Sequence, residues 1–279
     1  MVRDIYYKQL TYNDLTIEGY SRAAVQTFWR IPEYHLGFDL GAQPWEFMGT
    51  ANWFLSHTHL DHMAMLPSYL ARRRMMKMEP PTIYMPEKCV DAVAKLLRAW
   101  TILDGGRLPC ELCGLKAGES FDFSRELVVE ALGTTHRVPS LGYVVYHRRK
   151  KLLPELATLS GHEIKALKDS GREITYEIKI PKIAYLGDSN PKGLDDNPIF
   201  YEAEVLIMEM SFVENRHQSS KIHRYGHIHL DDVVERRERF QNKLIIASHF
   251  TARSVAAKIR ECTEKKLPGL LDGRLRLWL

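Results

Sequence analysis

The 279-residue chain predicts an α/β domain of stacked layers. Short apolar, strand-like runs recur along its length, and amphipathic helical stripes fall between some of them. No fixed-period repeat, low-complexity tract or obvious linker divides it, so it reads as one domain over residues 1–279. Hydrophobic residues make up 45% of the chain, enough for a full core.

Strands are expected at residues 82–85, 127–132, 142–146, 183–186, 205–210 and 244–247. Several are continuous apolar runs, the pattern of a sheet covered on both faces. Val90, Val93, Ala94 and Leu97 lie on one stripe and predict a helix over about 87–100. Residues 231–240 and 252–262 also read as helices. Residues 152–177 break the rhythm. Rich in Lys, Glu, Ser and Gly, they form either a surface excursion or a protruding substrate-binding arm.

No run of 18 apolar residues exists, so no membrane span is expected. The first eight residues lack a signal-like apolar core, which points to the cytoplasm. Four cysteines are too few for a disulfide scaffold, and Cys110 and Cys113 read as reduced thiols near a turn. The net charge of +4 is modest. The run His147, Arg148, Arg149, Lys150, Lys151 contains no acid, and such a run can hold a phosphate backbone.

The most specific feature is Leu-Ser-His-Thr-His-Leu-Asp-His at 55–62. Neutral imidazole and carboxylate are good ligands for zinc. In an extended segment His57, His59 and Asp61 share a face, while His62 fits a turn into a helix. Donors aimed in two directions suit two ions better than one. The same arrangement of strand then ligand recurs at His136, Asp188 and His249. A sheet fixes such positions firmly. Glu209 lies inside the apolar run 206–210, where a carboxylate is costly unless paired. It either salt-bridges to an arginine or pairs with His227, and a Glu–His pair beside a metal can move a proton. His229 reads as a helix-entry residue. His35, His147, His162, His217 and His223 receive no assignment.

Taken together, these motifs resemble the metallo-β-lactamase superfamily, and within it ribonuclease Z, the tRNA 3′-processing endonuclease. The first motif is His-x-His-x-Asp-His at 57–62. The third is Thr-His-Arg-Val-Pro-Ser-Leu-Gly-Tyr at 135–143. The last pair is Gly226-His227 and, 22 residues on, His249-Phe-Thr-Ala-Arg253. Residues 78–83 and 159–165 are similar to the short-form plant enzymes. Departures occur at residues 41–44, at 63–67 and at Ser254, where the family has other residues, but none removes a donor.

The resemblance implies a four-layer αββα sandwich. It implies a first zinc on His57, His59 and His136, a second on Asp61, His62 and His249, and Asp188 between them. Manganese or another divalent ion is an alternative. Asp61 would handle the attacking water, and His227, assisted by Glu209, would protonate the departing 3′ oxygen. The substrate would be precursor tRNA, gripped by an exosite arm at 147–177 through Arg148, Arg149, Lys150 and Lys151, with Arg253 as a further contact. The protein would work as a homodimer. The competing reading is another hydrolase of this fold, acting on a small phosphodiester, thioester or lactam.

Overall fold

A computed structural model describes residues 5–214 and 219–279. The first four residues and His217 lie outside the described residues. The strands are β1 (Lys8–Tyr12), β2 (Leu15–Ala23), β3 (Gln26–Ile31), β4 (Leu36–Leu40), β5 (Asn52–Phe54), β6 (Thr82–Pro86) and β7 (Glu111–Leu115). They continue with β8 (Ser120–Asp122), β9 (Leu127–Gly133), β10 (Leu141–Leu152), β11 (Thr175–Tyr185), β12 (Val205–Glu209), β13 (Leu244–Ser248), β14 (Phe250–Thr251) and β15 (Leu275–Leu277). One sheet runs β1-β2-β3-β4-β5-β6-β7, with β14 beside β2; the other runs β15-β13-β12-β11-β10-β9-β8.

Three apolar clusters stack as layers. The central one joins Phe38, Phe54, Tyr143, Val145, Ile183, Val205 and Ile246 between the sheets. A second packs helix residues such as Val233 and Ile259 on Val144, Leu206 and Ile245. A third packs Tyr69, Val93 and Leu97 on Trp53 and Ile83. Neighbouring residues Val205 and Leu206 thus enter different layers, as period two demands. This explains the continuous apolar runs, because both faces of each strand are covered.

The N-terminal meander β1–β4 lay beyond the sequence expectation, as did the short strands β7, β8, β14 and β15. The helix expected at 231–240 is an α-helix over Leu230–Glu235 followed by a 3-10 turn at Arg237–Arg239. The helix expected from residue 252 begins at Ala256. Phe250 and Thr251 pair with Arg22 and Ala23 first, and that ladder delays the helix. Cys113 lies within edge strand β7, and all four cysteines are free.

The 147–177 segment is a two-stranded ribbon. Pairing of β9 with β10 ends at His147, and β11 meets β12 only from Ile183. Beyond those points the β10–β11 ladder runs on, out to Leu152 and Thr175. A helix over Gly161–Asp169 caps the ribbon, started by a Ser160–Glu163 capping box, and none of its residues is buried. The basic run is less bare than it reads. Arg148 bonds to Asp122 and lies 3.2 Å from Glu177. Strand pairing delivers acids that neighbouring sequence positions do not show.

The C-terminus closes the inter-sheet core. Trp278 lies 5.2 Å from the Trp29 ring centroid, and its indole N–H donates to Gly19 at 3.1 Å. Trp278→Ala is expected to cost about 3–5 kcal/mol. Urea unfolding followed by far-UV circular dichroism measures this, as a lower midpoint with an unchanged slope.

Candidate metal centre

Parallel strands bring their C-terminal ends to one edge of the sandwich, the usual place for a site in such sheets. His57 and His59 follow β5, His136 follows β9, Asp188 follows β11 and His249 follows β13. Asp61 and His62 lie on a one-turn helix, Leu60–Met63. The ligand atoms of His57, His59, His136 and Asp188 all lie within 4.8 Å of one another, as do those of Asp61, His62 and His249. All seven residues singled out from sequence therefore converge in two adjoining groups.

The spacing fits divalent cations. Nitrogens about 2.0–2.1 Å from a tetrahedral ion lie roughly 3.3 Å apart. His57 Nε2 and His136 Nε2 lie 3.0 and 3.1 Å from His59 Nδ1. His62 Nε2 and His249 Nε2 are 3.2 Å apart. Asp188 spans both groups: Oδ2 is 3.8 Å from His57 Nε2, and Oδ1 is 3.5 Å from both His62 and His249. Asp61 Oδ2 lies 3.7 and 3.5 Å from the same two imidazoles. It also accepts the Ala24 N–H at 2.8 Å.

Protonation favours the ligating form at five of the donors. At His62, by contrast, burial is outweighed by the Asp188 and Asp39 carboxylates, which raise its pKa well above the ordinary value and favour the imidazolium until a cation displaces the proton. Burial holds His57 well below its ordinary pKa, and neighbouring imidazoles add to this. Burial likewise lowers His59 and His136. Burial opposes ionisation of Asp61, yet the His249 hydrogen bond and the His62 charge overcome it and push its pKa down to about 2. For Asp188, burial again opposes ionisation, and His249 and His62 hold it well below the usual range.

Outer nitrogens of four donors are tied down, which fixes ring orientation and tautomer. His62 Nδ1 donates to Asp39 at 2.7 Å. His57 Nδ1 lies 3.0 Å from Ser56 Oγ, which itself donates to Asp39 at 2.8 Å. His249 Nδ1 lies 3.1 Å from Ser211 Oγ, and Ser211 donates to Glu209 at 2.5 Å. His136 Nδ1 donates to the Gly226 carbonyl at 3.0 Å. Gly226 has φ +77, and a Cβ there would sit 2.5 Å from His136 Nδ1, so only glycine makes this contact.

Asp39, fully buried, is the residue that sequence reasoning missed. Its signal was present: a carboxylate inside the run Leu36–Leu40, the same mark that drew attention to Glu209.

Glu209 meets His227, and no arginine is bonded to it among the described residues. His227 Nδ1 lies 3.0 and 3.1 Å from the two carboxylate oxygens. Ser189 N–H donates to Glu209 at 2.8 Å. Burial opposes the charged imidazole, but Glu209 raises the His227 pKa to about 9. His229 caps the helix Leu230–Glu235, as its helix-entry reading expected. His223, unassigned from sequence, bonds to Asp232 at 2.9 Å. Arg253 is exposed on the rim beside His227, whereas Arg149, Lys150 and Lys151 sit exposed on the ribbon.

Two facing sheets flanked by helices, with a His/Asp cluster at one edge, define a protein of the metallo-β-lactamase fold. The metallo-β-lactamase-fold protein YhfI of Bacillus subtilis superposes with a TM-score of 0.60 at 13% identity, covering 92% of each chain. The short form of human tRNase Z superposes with 0.53 at 19%, covering 86% of each. At such identities the likeness is one of fold. Sequence goes further. The chain is 38% identical to tRNase Z TRZ1 of Arabidopsis thaliana over 261 residues, 93% of both chains. It is 35% identical to the chloroplastic tRNase Z TRZ2 of the same plant, over 89% of this chain and 71% of that one. No protein-family model matches it. The chain belongs to the ribonuclease Z family and is a metal-dependent endoribonuclease by that membership.

Asp39→Asn keeps the size and tolerates the left-handed backbone at this position, where φ is +56. It is expected to weaken metal retention by about 10–100-fold. Competition with a graded chelator, read by elemental analysis, measures the loss. Retention equal to wild type would remove Asp39 from the support of the site.

Proposed function

We propose that this protein cuts the 3′ trailer from precursor tRNA, leaving a 3′-hydroxyl on the tRNA and a 5′-phosphate on the trailer. The observation that carries the reading is the Glu209–His227 pair beside the seven converging donors, in a chain whose relatives are named tRNase Z. The donor set of imidazoles and carboxylates suits two zinc ions, with His57, His59 and His136 for one, Asp61, His62 and His249 for the other, and Asp188 shared. Manganese is the alternative. Bound divalent ions polarise a phosphate and lower the pKa of water.

The protein groups divide the remaining work. Asp61, held by the Ala24 N–H and kept ionised, orients the attacking water. His227, kept cationic by Glu209, protonates the departing 3′ oxygen. The ribbon presents Arg149, Lys150 and Lys151 to tRNA phosphates, while Arg148 is largely occupied by Asp122 and Glu177. Contact by shape and phosphate suits a substrate set of many tRNAs. The homodimer extends this reading, with one subunit's ribbon holding the tRNA cut by the other. The exposed apolar side chains Leu96, Trp100 and Leu103 on the helix Val90–Asp104 support it. No described helix is long and apolar enough to cross a membrane.

Purified protein with zinc is expected to cut a precursor tRNA just after its last body nucleotide. Turnover of a small diester alone would instead favour a small-substrate hydrolase. His227→Ala is expected to lower kcat about 10²–10⁴-fold with metal content unchanged; loss of metal would make His227 a ligand. Because His227 donates only when protonated, the alkaline limb of the kcat profile is expected to fall as pH rises through about 9. A profile flat to pH 10 would exclude it as the acid. Replacing Arg149, Lys150 and Lys151 with Ala is expected to raise KM for precursor tRNA and spare small-diester turnover. Equal loss on both substrates would exclude the ribbon as a tRNA grip.

A further inference from the structure

A cavity of about 460 Å³ opens beside His227. Its volume lies within the range of small-ligand sites, about 300–1,000 Å³. None of the seven metal-site donors is among its described lining residues. Its walls are mostly apolar: Ala24, Phe212, Ile222, Tyr225 and Ala252. Tyr225 is 42% exposed, so its ring is open to a partner from solvent. The Arg137 guanidinium lies 5.4 Å from its centroid, outside the cavity lining, and steadies the ring by a cation–π contact. Lys221 and Arg253 stand at the cavity with no ion-pair partner among the described residues.

The position relative to His227 decides which part of an RNA fits. The group that protonates a departing 3′ oxygen touches the nucleotide that keeps that oxygen. The phosphate leaves with the trailer and lies on the side of the seven donors. The largely apolar cavity on the His227 side therefore faces the last nucleotide retained on the tRNA. We propose that this cavity receives that base stacked on Tyr225, with Lys221 and Arg253 meeting the adjoining phosphates. Stacking tolerates any base, because every base has a π-face. The hydroxyls of Ser211 and Thr251 are the other polar groups in the wall, and Ser211 is already engaged with Glu209. The site would thus hold the base firmly while discriminating weakly among the four. This assignment rests on the tRNA-processing reading above.

The test compares two precursor tRNAs, one intact and one abasic at the last body nucleotide, with wild type, Tyr225→Ala and Tyr225→Phe. Removing the base is expected to lower wild-type kcat/KM about tenfold to a hundredfold. Tyr225→Ala is expected to show a similar loss on the intact substrate and no further loss on the abasic one. Tyr225→Phe keeps the ring and is expected to stay within about threefold of wild type on both. Losses that multiply independently, or an abasic substrate cut as well as the intact one, would overturn the pocket assignment and leave the processing reading standing. A wild-type protein that leaves intact precursor uncut would remove the processing reading itself, and the pocket with it.

Discussion

One buried carboxylate organises much of this centre. Asp39 accepts from four donors: the Ser56 N–H at 2.7 Å, the Ser56 hydroxyl at 2.8 Å, His62 Nδ1 at 2.7 Å, and the Tyr185 hydroxyl. Tyr185 ends β11 in the second sheet, so this single group ties the two sheets together at the edge that carries the site. Through Ser56 it reaches His57, a member of the first donor group; directly it reaches His62, a member of the second. A buried charge so surrounded is stable only while every partner stays in place. The metal centre and the alignment of the sandwich are therefore not independent features.

The second sheet carries a matching relay. Glu209 accepts from Ser211, and Ser211 engages His249, just as Asp39 accepts from Ser56 and Ser56 engages His57. Each relay fixes an imidazole's outer nitrogen and leaves the inner one aimed at the cluster. Glu209 has a second duty, because the same carboxylate holds His227. Its replacement would thus disturb His227 and His249 together. His227 itself lies close to the cluster, its ring nitrogen within 4.8 Å of ligand atoms of Asp188 and His249.

Much of the site was legible in the sequence because its donors sit at the ends of apolar runs. A strand must end somewhere, and a His or Asp at four such ends is an uneconomical pattern for a core alone. Glu209 was visible for the same reason, and Asp39 could have been. What stayed hidden was pairing across strands. Arg148 looked unopposed because its acids, Asp122 and Glu177, lie 26 and 29 residues away in the chain and meet it only through β8, β9 and β11. Strand β1 was hidden differently. Its burial alternates between partial and exposed, so Lys8–Tyr12 carries little apolar signal. Helix starts were misplaced where tertiary pairing intervened, as at Phe250 and Thr251.

The loop from Arg224 to His229 shows how little backbone is needed to join these functions. Within it, the Gly226 carbonyl orients His136, the next residue supplies His227, and His229 starts a helix whose Asp232 reaches back to His223. The His136 ring and His227 are thus set by consecutive residues, and the left-handed conformation at Gly226 makes the turn between them. Moving one would move the other. That coupling keeps His227 in register with the cluster, and it places Tyr225, immediately before Gly226, at the cavity beside it. One turn of chain therefore sets the His136 ring, His227 and the Tyr225 side chain relative to one another.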